Sequence, residues 1–426
     1  MGVMNNNYTK SEIARVSEGE ANKPLTHRFR MTPKTLLTTL AATALLAATS
    51  INTPAQNVEP VLDLGPGTLG RDVLVNPFPN NPLPPGLFLA AYTPDYGYAV
   101  LDANLTQNPP IVGVIDRFPS RLNRLGFDPH SGALFAAGET LNPNTAWEVH
   151  RSLDGGVNWL PLISGWQLVA GLSASAQGVA ADFSGNLFVC GRAAYDVRHG
   201  YWNKPIIRRS ANGGASWENK VLSSKGGNFD NAADIQFVPS VGSKQGGIFA
   251  VGRVGNNWTV WRSRDAGVTW PVVHSWVPPK LGIAEATAIT SDASGNIFVG
   301  GMGNGVNSAR NWYVWASANG GTTWQDLGCP LLSGTDCIIN GLAIDPAGEN
   351  LLVVGTQSQF NWKMQRWSPG GGWSQAIFPY GNPGTSGPTS KAMGVATDAT
   401  TGLFYVTGWA NDPSGQSHAT VLEVSH

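Results

Sequence analysis

The chain has 426 residues, 52 glycines and 29 prolines, and a formal net charge of −1. Only 13% of residues are charged, against about 25% in an ordinary soluble protein, so long solvent-facing helices rich in Lys and Glu are excluded. With no basic field and no polybasic run, neither a nucleic-acid partner nor an electrostatically bound membrane surface is expected.

The first element is an export signal. Residues 36–48, LLTTLAATALLAA, form an apolar run preceded by Arg28, Arg30 and Lys34 and followed by small residues. The run is short for a bilayer span, so a cleaved signal peptide is favoured over an uncleaved anchor, with cleavage near Ser50 or Ala55. This divides the chain into an N-terminal region, 1–55, and a mature region, 56–426. The mature chain is expected outside the cytoplasm, secreted or periplasmic, with no later membrane span and as a monomer.

A repeat fills the mature region. One element is an apolar strand closing on glycine: LFAAG (134–138), LFVCG (187–191), IFAVG (248–252), IFVGG (297–301), LLVVG (351–355) and FYVTG (404–408). The closing glycines stand 53, 61, 49, 54 and 53 residues apart. It alternates with Ser-x-Asp/Asn-x-Gly-x-x-Trp: SLDGGVNW (152–159), SANGGASW (210–217), SRDAGVTW (263–270), SANGGTTW (317–324) and a worn SPGGGW (368–373). Each unit reads as four short strands, A to D, with tight A–B and C–D turns and longer B–C and D–A links.

Four strands in about 50 residues make a propeller blade. Six copies are plain, and a fainter one precedes them: RDVLVNPF (71–78), LFLAA (87–91), YAVLDA (98–103) and PIVGVI (110–115). The last copy stops after ATVLEVS (419–425), and NVEPVLDL (57–64) can supply its missing strand. Closure by the two termini would remove the exposed sheet edges. The expected fold is therefore all-β, a single propeller with seven blades favoured over six.

The Ser-Asp-Gly-Trp element has a structural logic. Glycine permits the left-handed turn, the Ser and Asp or Asn oxygens accept turn amides, and the Trp covers the hairpin. Asn212 and Asn319 stand where Asp154 and Asp265 do, and a catalytic or metal-binding carboxylate would not tolerate that exchange. Ser152, Asp154, Trp159, Ser210, Asn212, Trp217, Ser263, Asp265, Trp270, Ser317, Asn319 and Trp324 are accordingly read as fold stabilisers.

These elements resemble the Asp-boxes (BNR repeats) of sialidases, xyloglucanase-type glycoside hydrolases, sortilin-type receptors and photosystem assembly propellers. The resemblance covers nearly all of 56–426. It implies that the B–C and D–A loops carry the functional face, opposite the Asp-boxes. Those loops are polar and aromatic here, which suits stacking on sugar CH groups and bonding to hydroxyls. Trp166, Tyr195, His199, Arg253, Arg310 and Trp409 are the ligand-binding candidates. Trp147, Trp202, Trp258, Trp312 and Trp362 recur near the start of strand C, as packing residues do.

The stretch 117–159 is similar to the opening of the sialidase family, with Arg117 at its first carboxylate-gripping arginine. Glu285, Arg310 and Tyr380 would complete the set. The departures are Phe118 in place of the family's Ile and Thr140 where its Arg follows Ala-Glu. A two-carboxyl glycosidase would draw on Asp196, Asp230, Asp234, Glu285, Asp336 or Asp412, but xyloglucanase-type enzymes work between two propellers and this chain has one. No HExxH or GxSxG motif is present. The expectation is a non-catalytic binder of a glycan or extracellular protein, with no cofactor and no metal; the alternative is an exo-α-sialidase-like glycoside hydrolase. Cys329 and Cys337 are close enough in sequence to pair across one loop.

Overall fold

The computed structural model describes residues 57–78, 86–107, 110–141, 143–196, 202–223, 226–278, 282–304, 310–328, 337–357, 361–380 and 389–425. They belong to one compact unit, Pro54–His426. The export-signal region, His199, Asp336 and Cys329, with its pairing to Cys337, lie outside the described residues.

Among the described residues the secondary structure is 28 strands in seven four-stranded antiparallel sheets, with no helix. This is the seven-bladed propeller that the repeat implies. Blade 1 consists of Leu69–Val75 (A), Leu87–Thr93 (B), Gly97–Asn104 (C) and Ile111–Phe118 (D). Blade 7 consists of Ser390–Thr397 (A), Phe404–Asn411 (B) and Ser417–Val424 (C), with Val58–Pro66 added as its outermost strand. The intervening A strands are Ser120–Asp128, Ala174–Ala181, Asn231–Val238, Ala284–Ser291 and Ile338–Ile344, in blades 2 to 6. Each A strand packs on the A strands of the blades before and after it, and blade 7 returns to blade 1.

The core is not central. Seven apolar clusters lie one per blade interface. Their largest fully buried members include Trp147, Trp258, Trp312 and Trp362, near the starts of the C strands. These tryptophans explain the closing glycine of strand B. A methyl group on Gly191, Gly301 or Gly408 would meet the Trp147, Trp258 or Trp362 ring of the blade before at 2.6–2.9 Å. It would also meet the carbonyl oxygen of Ser175, Glu285 or Lys391 on strand A at 1.9–2.1 Å. Only hydrogen fits between these two groups. In blade 1 the arrangement is transposed: Ala91 occupies the glycine position, and its cross-strand partner is Gly70.

The Ser-Asp/Asn-Gly-Trp turns have one pattern in blades 2, 4 and 5. The hydroxyls of Ser152, Ser263 and Ser317 accept the amides of Gly156, Gly267 and Gly321 at 2.7–2.9 Å. The Asp154, Asp265 and Asn319 Oδ1 atoms each accept the backbone amide four residues on, at 2.9 Å. The indole N–H groups of Trp159, Trp270 and Trp324 close the turn on the carbonyls of Gly156, Gly267 and Gly321 at 2.9–3.2 Å. Asn319 makes the backbone bond as well as Asp does, which explains the Asp/Asn exchange.

Loop lengths depart from the uniform pattern expected. In blades 1 and 4 the A–B links are long, 76–86 and 239–246, while the B–C links shrink to 94–96 and 255–256. Gly97 and Gly255, at φ of 72° and 60°, allow those tight turns. The B–C loops are therefore unequal around the ring.

Candidate functional site at the loop end of the axis

All seven A strands carry a register shift at one equivalent position. The extra residues are Arg71, Asn123, Gln177, Ala233, Thr287, Asn340 and Met393. A bulge re-aims a side chain and bends its strand, and here seven bulges turn seven side chains toward the axis. They line one polar pocket of about 220 Å³ together with Arg124, Asn231, Glu285 and Ile339.

Arg124 closes the pocket on the axial side. Its guanidinium lies 3.8 Å from the Asp72 carboxylate of blade 1 and 3.8 Å from the Asp234 carboxylate of blade 4. Both aspartates also reach the next blade: Asp72 accepts the Leu125 amide at 2.8 Å and Asp234 accepts the Ile289 amide at 3.2 Å. Glycines make the room, since a methyl group on Gly394 or Gly178 would run into Asp72 or Asp234. Asp234, one of the candidate catalytic carboxyls, is thus part of a buried ionic triad.

Burial pushes the Asp72 carboxyl up to about 6 and raises Asp234, against the pull of Arg124. The folded value for Asp72 lies above the unfolded one, so the native state takes up the proton first. The group's contribution therefore improves as pH falls through about 6 toward 4 and is least favourable at neutral pH. His274, pushed down to about 4 by burial, acts oppositely in the same window. The informative quantity is the difference between wild type and Asp72→Asn. Lowering pH from 7.5 to 4.5 should move the relative stability toward wild type by up to about 2 kcal/mol, read as urea midpoints. A pH-independent difference would refute the assignment.

Above the bulges, one cross-strand A/B pair per blade stands at the loop end. In blade order these are Leu69/Tyr92, Arg121/Glu139, Ser175/Arg192, Asn231/Arg253, Glu285/Met302, Ile338/Thr356 and Lys391/Trp409. The position is fixed by the repeat but its chemistry changes from blade to blade, unlike the glycine just before it on strand B. In blade 2 the pair is an ion pair at 3.2 Å. Blades 3 to 5 gather the charge. Glu285 accepts the Asn231 amide at 2.9 Å and lies within electrostatic reach of Arg253, Arg192 and Arg310. Burial raises its carboxyl, and these neighbours oppose the rise. Arg253 stacks over Phe229 with its guanidinium 5.3 Å from the ring centre, and burial lowers it. Asp230 accepts the Gly255 amide at 2.7 Å and so holds the tight B–C turn of blade 4.

The candidates read from sequence fall into separate groups. Glu285, Arg253 and Arg310 come together, and Arg192 and Asn231 join them without having been singled out. Arg117 lies on strand D of blade 1, with its guanidinium 4.4 Å from the Tyr96 ring centre. Tyr380 donates to Thr420 at 2.9 Å and packs on Trp362. Tyr195 lies under the Lys204 ammonium at 4.4 Å. Trp409 shares the loop-end ring, across from Lys391 and from Ala419 of strand C. Trp166 sits outward, at the end of strand D of blade 2, against Trp147. Asp412 caps its own hairpin by accepting the Gln416 amide at 2.9 Å. Among the described residues no cluster of His, Cys, Asp and Glu could hold a metal ion. A larger, mainly apolar cavity of about 890 Å³ lies at the A–B end, lined in part by Leu74, Phe127, Leu342, Val395 and Tyr405.

No family model matches the chain, and no curated protein matches it. Solved structures do. One is a protein of unknown function from Dyadobacter fermentans, with 15% identity and a TM-score of 0.48 over 85% of this chain and 100% of that one. Another is a sialidase from Trypanosoma rangeli, with 14% identity and a TM-score of 0.45 over 74% of this chain and 56% of that one. A third is the β-propeller domain of Cps50 (Swd1) from Myceliophteria thermophila, with 13% identity and a TM-score of 0.50 over 85% and 99%. At that identity the last is a likeness of fold, and the fold it shares is the β-propeller.

Proposed function

We propose that the chain is an exported, non-catalytic propeller of the Asp-box kind that binds a glycan or extracellular protein through its loop face, centred on blades 3 to 5. The observation that carries this reading is the gathering of Arg192, Arg253 and Arg310 around the half-buried Glu285 at the loop end of the axis. Three guanidinium groups stand near the Glu285 and Asp230 carboxylates at the mouth of a polar pocket. That favours an acceptor-rich, acidic ligand.

The same geometry argues against hydrolysis. A two-carboxyl glycosidase needs both groups facing across a sugar bond. Glu285 is engaged by Asn231, Asp230 by the Gly255 amide, and Asp234 by Arg124. Arg117 and Tyr380, needed for the sialidase-like alternative, have partners of their own on an outer strand and in a blade interface. The raised Glu285 and Asp230 carboxyls favour an acid catalyst, so the test must include turnover.

Purified 56–426 should release no sugar from sialylated or plant-type glycans. It should be retained on acidic glycans or a co-purified partner, with affinity reduced at least about tenfold by Arg253→Met, the loss of one charge-assisted contact. Sugar release abolished by Glu285→Gln would replace this reading with the hydrolase.

A further inference from the structure

The turn of blade 3 keeps the Ser210 and Asn212 backbone bonds seen in blades 2, 4 and 5 but differs in how it packs. In those three blades a methyl group on Gly156, Gly267 or Gly321 would meet a strand-B phenylalanine of the preceding blade, Phe88, Phe188 or Phe249. In blade 3 a methyl group on Gly214 would meet Leu162 of strand D of blade 2 instead. The tryptophan differs too. The Trp217 indole nitrogen is buried without an acceptor, whereas Trp159, Trp270 and Trp324 each bond to their turn. Trp217 lies against Arg208 of strand C, whose guanidinium carbon is 5.5 Å from its ring centre and 4.7 Å from that of Trp166. These three side chains line a pocket of about 480 Å³ between blades 2 and 3, a size typical of small-molecule sites.

Arg208 is the unusual member. Its Nε donates to Asn219 at 3.2 Å, and among the described residues no carboxylate lies within salt-bridge distance. The neighbouring Arg209 pairs with Glu218 at 3.7 Å. Arg262 also lacks a carboxylate, but its Nη2 donates to the Gln245 and Gly246 carbonyls. The Arg208 guanidinium is part-buried, which lowers it to about 10, and among the described residues no carboxylate offsets its charge. The pocket floor is fixed: Glu148 accepts from Ser164 and Gly165 at 3.0 and 2.9 Å, and Gln167 bridges Asn144, Thr145 and Gly171. A fixed cleft with two indole walls and one uncompensated guanidinium is suited to a ligand that has both apolar faces and an anion.

We propose that this cleft is a second binding site, separate from the axial cluster of Glu285 and its arginines, for a saccharide bearing a carboxylate or sulfate group. The anion meets Arg208, and the sugar CH faces lie against Trp166 and Trp217. Calorimetric titration of purified 56–426 with an oligogalacturonate, a chondroitin sulfate hexasaccharide and neutral cellohexaose tests it and separates the two anion sources. At least one acidic saccharide should bind, and cellohexaose at least about tenfold more weakly. Arg208→Met should weaken that binding at least about tenfold, and Arg208→Lys less.

Arg253→Met should leave the Arg208-dependent component unchanged, which keeps this site distinct from the axial cluster. Arg208→Lys preserves the charge and serves if Arg208→Met fails to fold. Acidic binding that is indifferent to both substitutions at Arg208, equal binding of cellohexaose, or no acidic binding at millimolar saccharide would each overturn the proposal.

Discussion

Arg124→Met is expected to destabilise the folded protein by about 3–5 kcal/mol, the cost of stranding buried charge when one partner of an ion pair is removed. Two carboxylates share this one guanidinium, at 3.8 Å each. Met keeps much of the side-chain length, so the loss reports charge more than volume. The triad links blades 1, 2 and 4 across the axis, and the amides of Leu125 and Ile289 extend it to neighbouring strands.

Removing the charge on both sides should cost less than removing it on one. The triple variant Arg124→Met, Asp72→Asn, Asp234→Asn is therefore expected to recover part of the loss. Urea midpoints of the single and triple variants decide it. A single-variant loss under about 1 kcal/mol, the scale of a solvent-exposed pair, would mean that water reaches the triad and that it does not hold the ring.

How far the sequence reveals this molecule depends on the range of the forces involved. The blades are legible because each repeats the same local constraint. Gly191, Gly301 and Gly408 are held between a strand-A carbonyl and a tryptophan ring, so the pattern recurs wherever the packing recurs. Blade 1 is fainter because the glycine crossed the strand pair to Gly70. Its strand A begins at Leu69, two residues before the stretch read from the sequence. The short B–C links of blades 1 and 4 were hidden because a Gly-containing link reads alike as a loop or a tight turn.

The site is legible only in pieces. Glu285, Arg253 and Arg310 stand out as charged residues in polar loops, but what gathers them is the packing of consecutive blades around one axis, which brings together residues far apart in sequence. The same packing makes Arg192 a neighbour of Glu285, and nothing local marks it. The bulges hide for another reason: an extra residue in an apolar strand leaves no compositional trace, so the axial turn of Arg71, Asn123 and Gln177 is visible only in the pairing. Arg117 and Tyr380 show the converse. They match a family's residue types, while their positions in the fold give them to Tyr96 and Thr420. One comparison of the repeats could have marked the loop-end ring. The residue after the closing glycine is Glu139, Arg192, Arg253, Met302, Thr356 or Trp409 in successive blades, and variation at a fixed structural position is what a tailored surface requires.

Removal of residues 57–67 is the other large expected effect. Val58–Pro66 is the outermost strand of blade 7 and pairs with Ser417–Val424 from Val58↔Val424 to Pro66↔His418. The pairing is reinforced at both ends: the Ser425 amide donates to the Asn57 carbonyl at 3.1 Å, and His418 faces Asp63 at 3.0 Å. Leu62 is buried with Val421 and Tyr405 in the cluster between blades 7 and 1. Without the strand, the interface that closes the ring loses apolar cover and strand C of blade 7 becomes a bare edge, open to pairing between chains. Pro60 and Pro66 suit this outermost position, where a missing N–H costs no second ladder. A chain beginning at Thr68 should therefore melt at least about 10 °C below 56–426, well beyond the few degrees that 1 kcal/mol moves a domain of this size. It should also become sensitive to protease within blade 7. A synthetic 57–67 peptide added in trans should restore much of both, because the strand contributes through pairing and burial and not through its covalent link. An unchanged melting temperature in the shortened chain would show that the ring is held by its seven blade interfaces alone and that the joining of the termini is incidental.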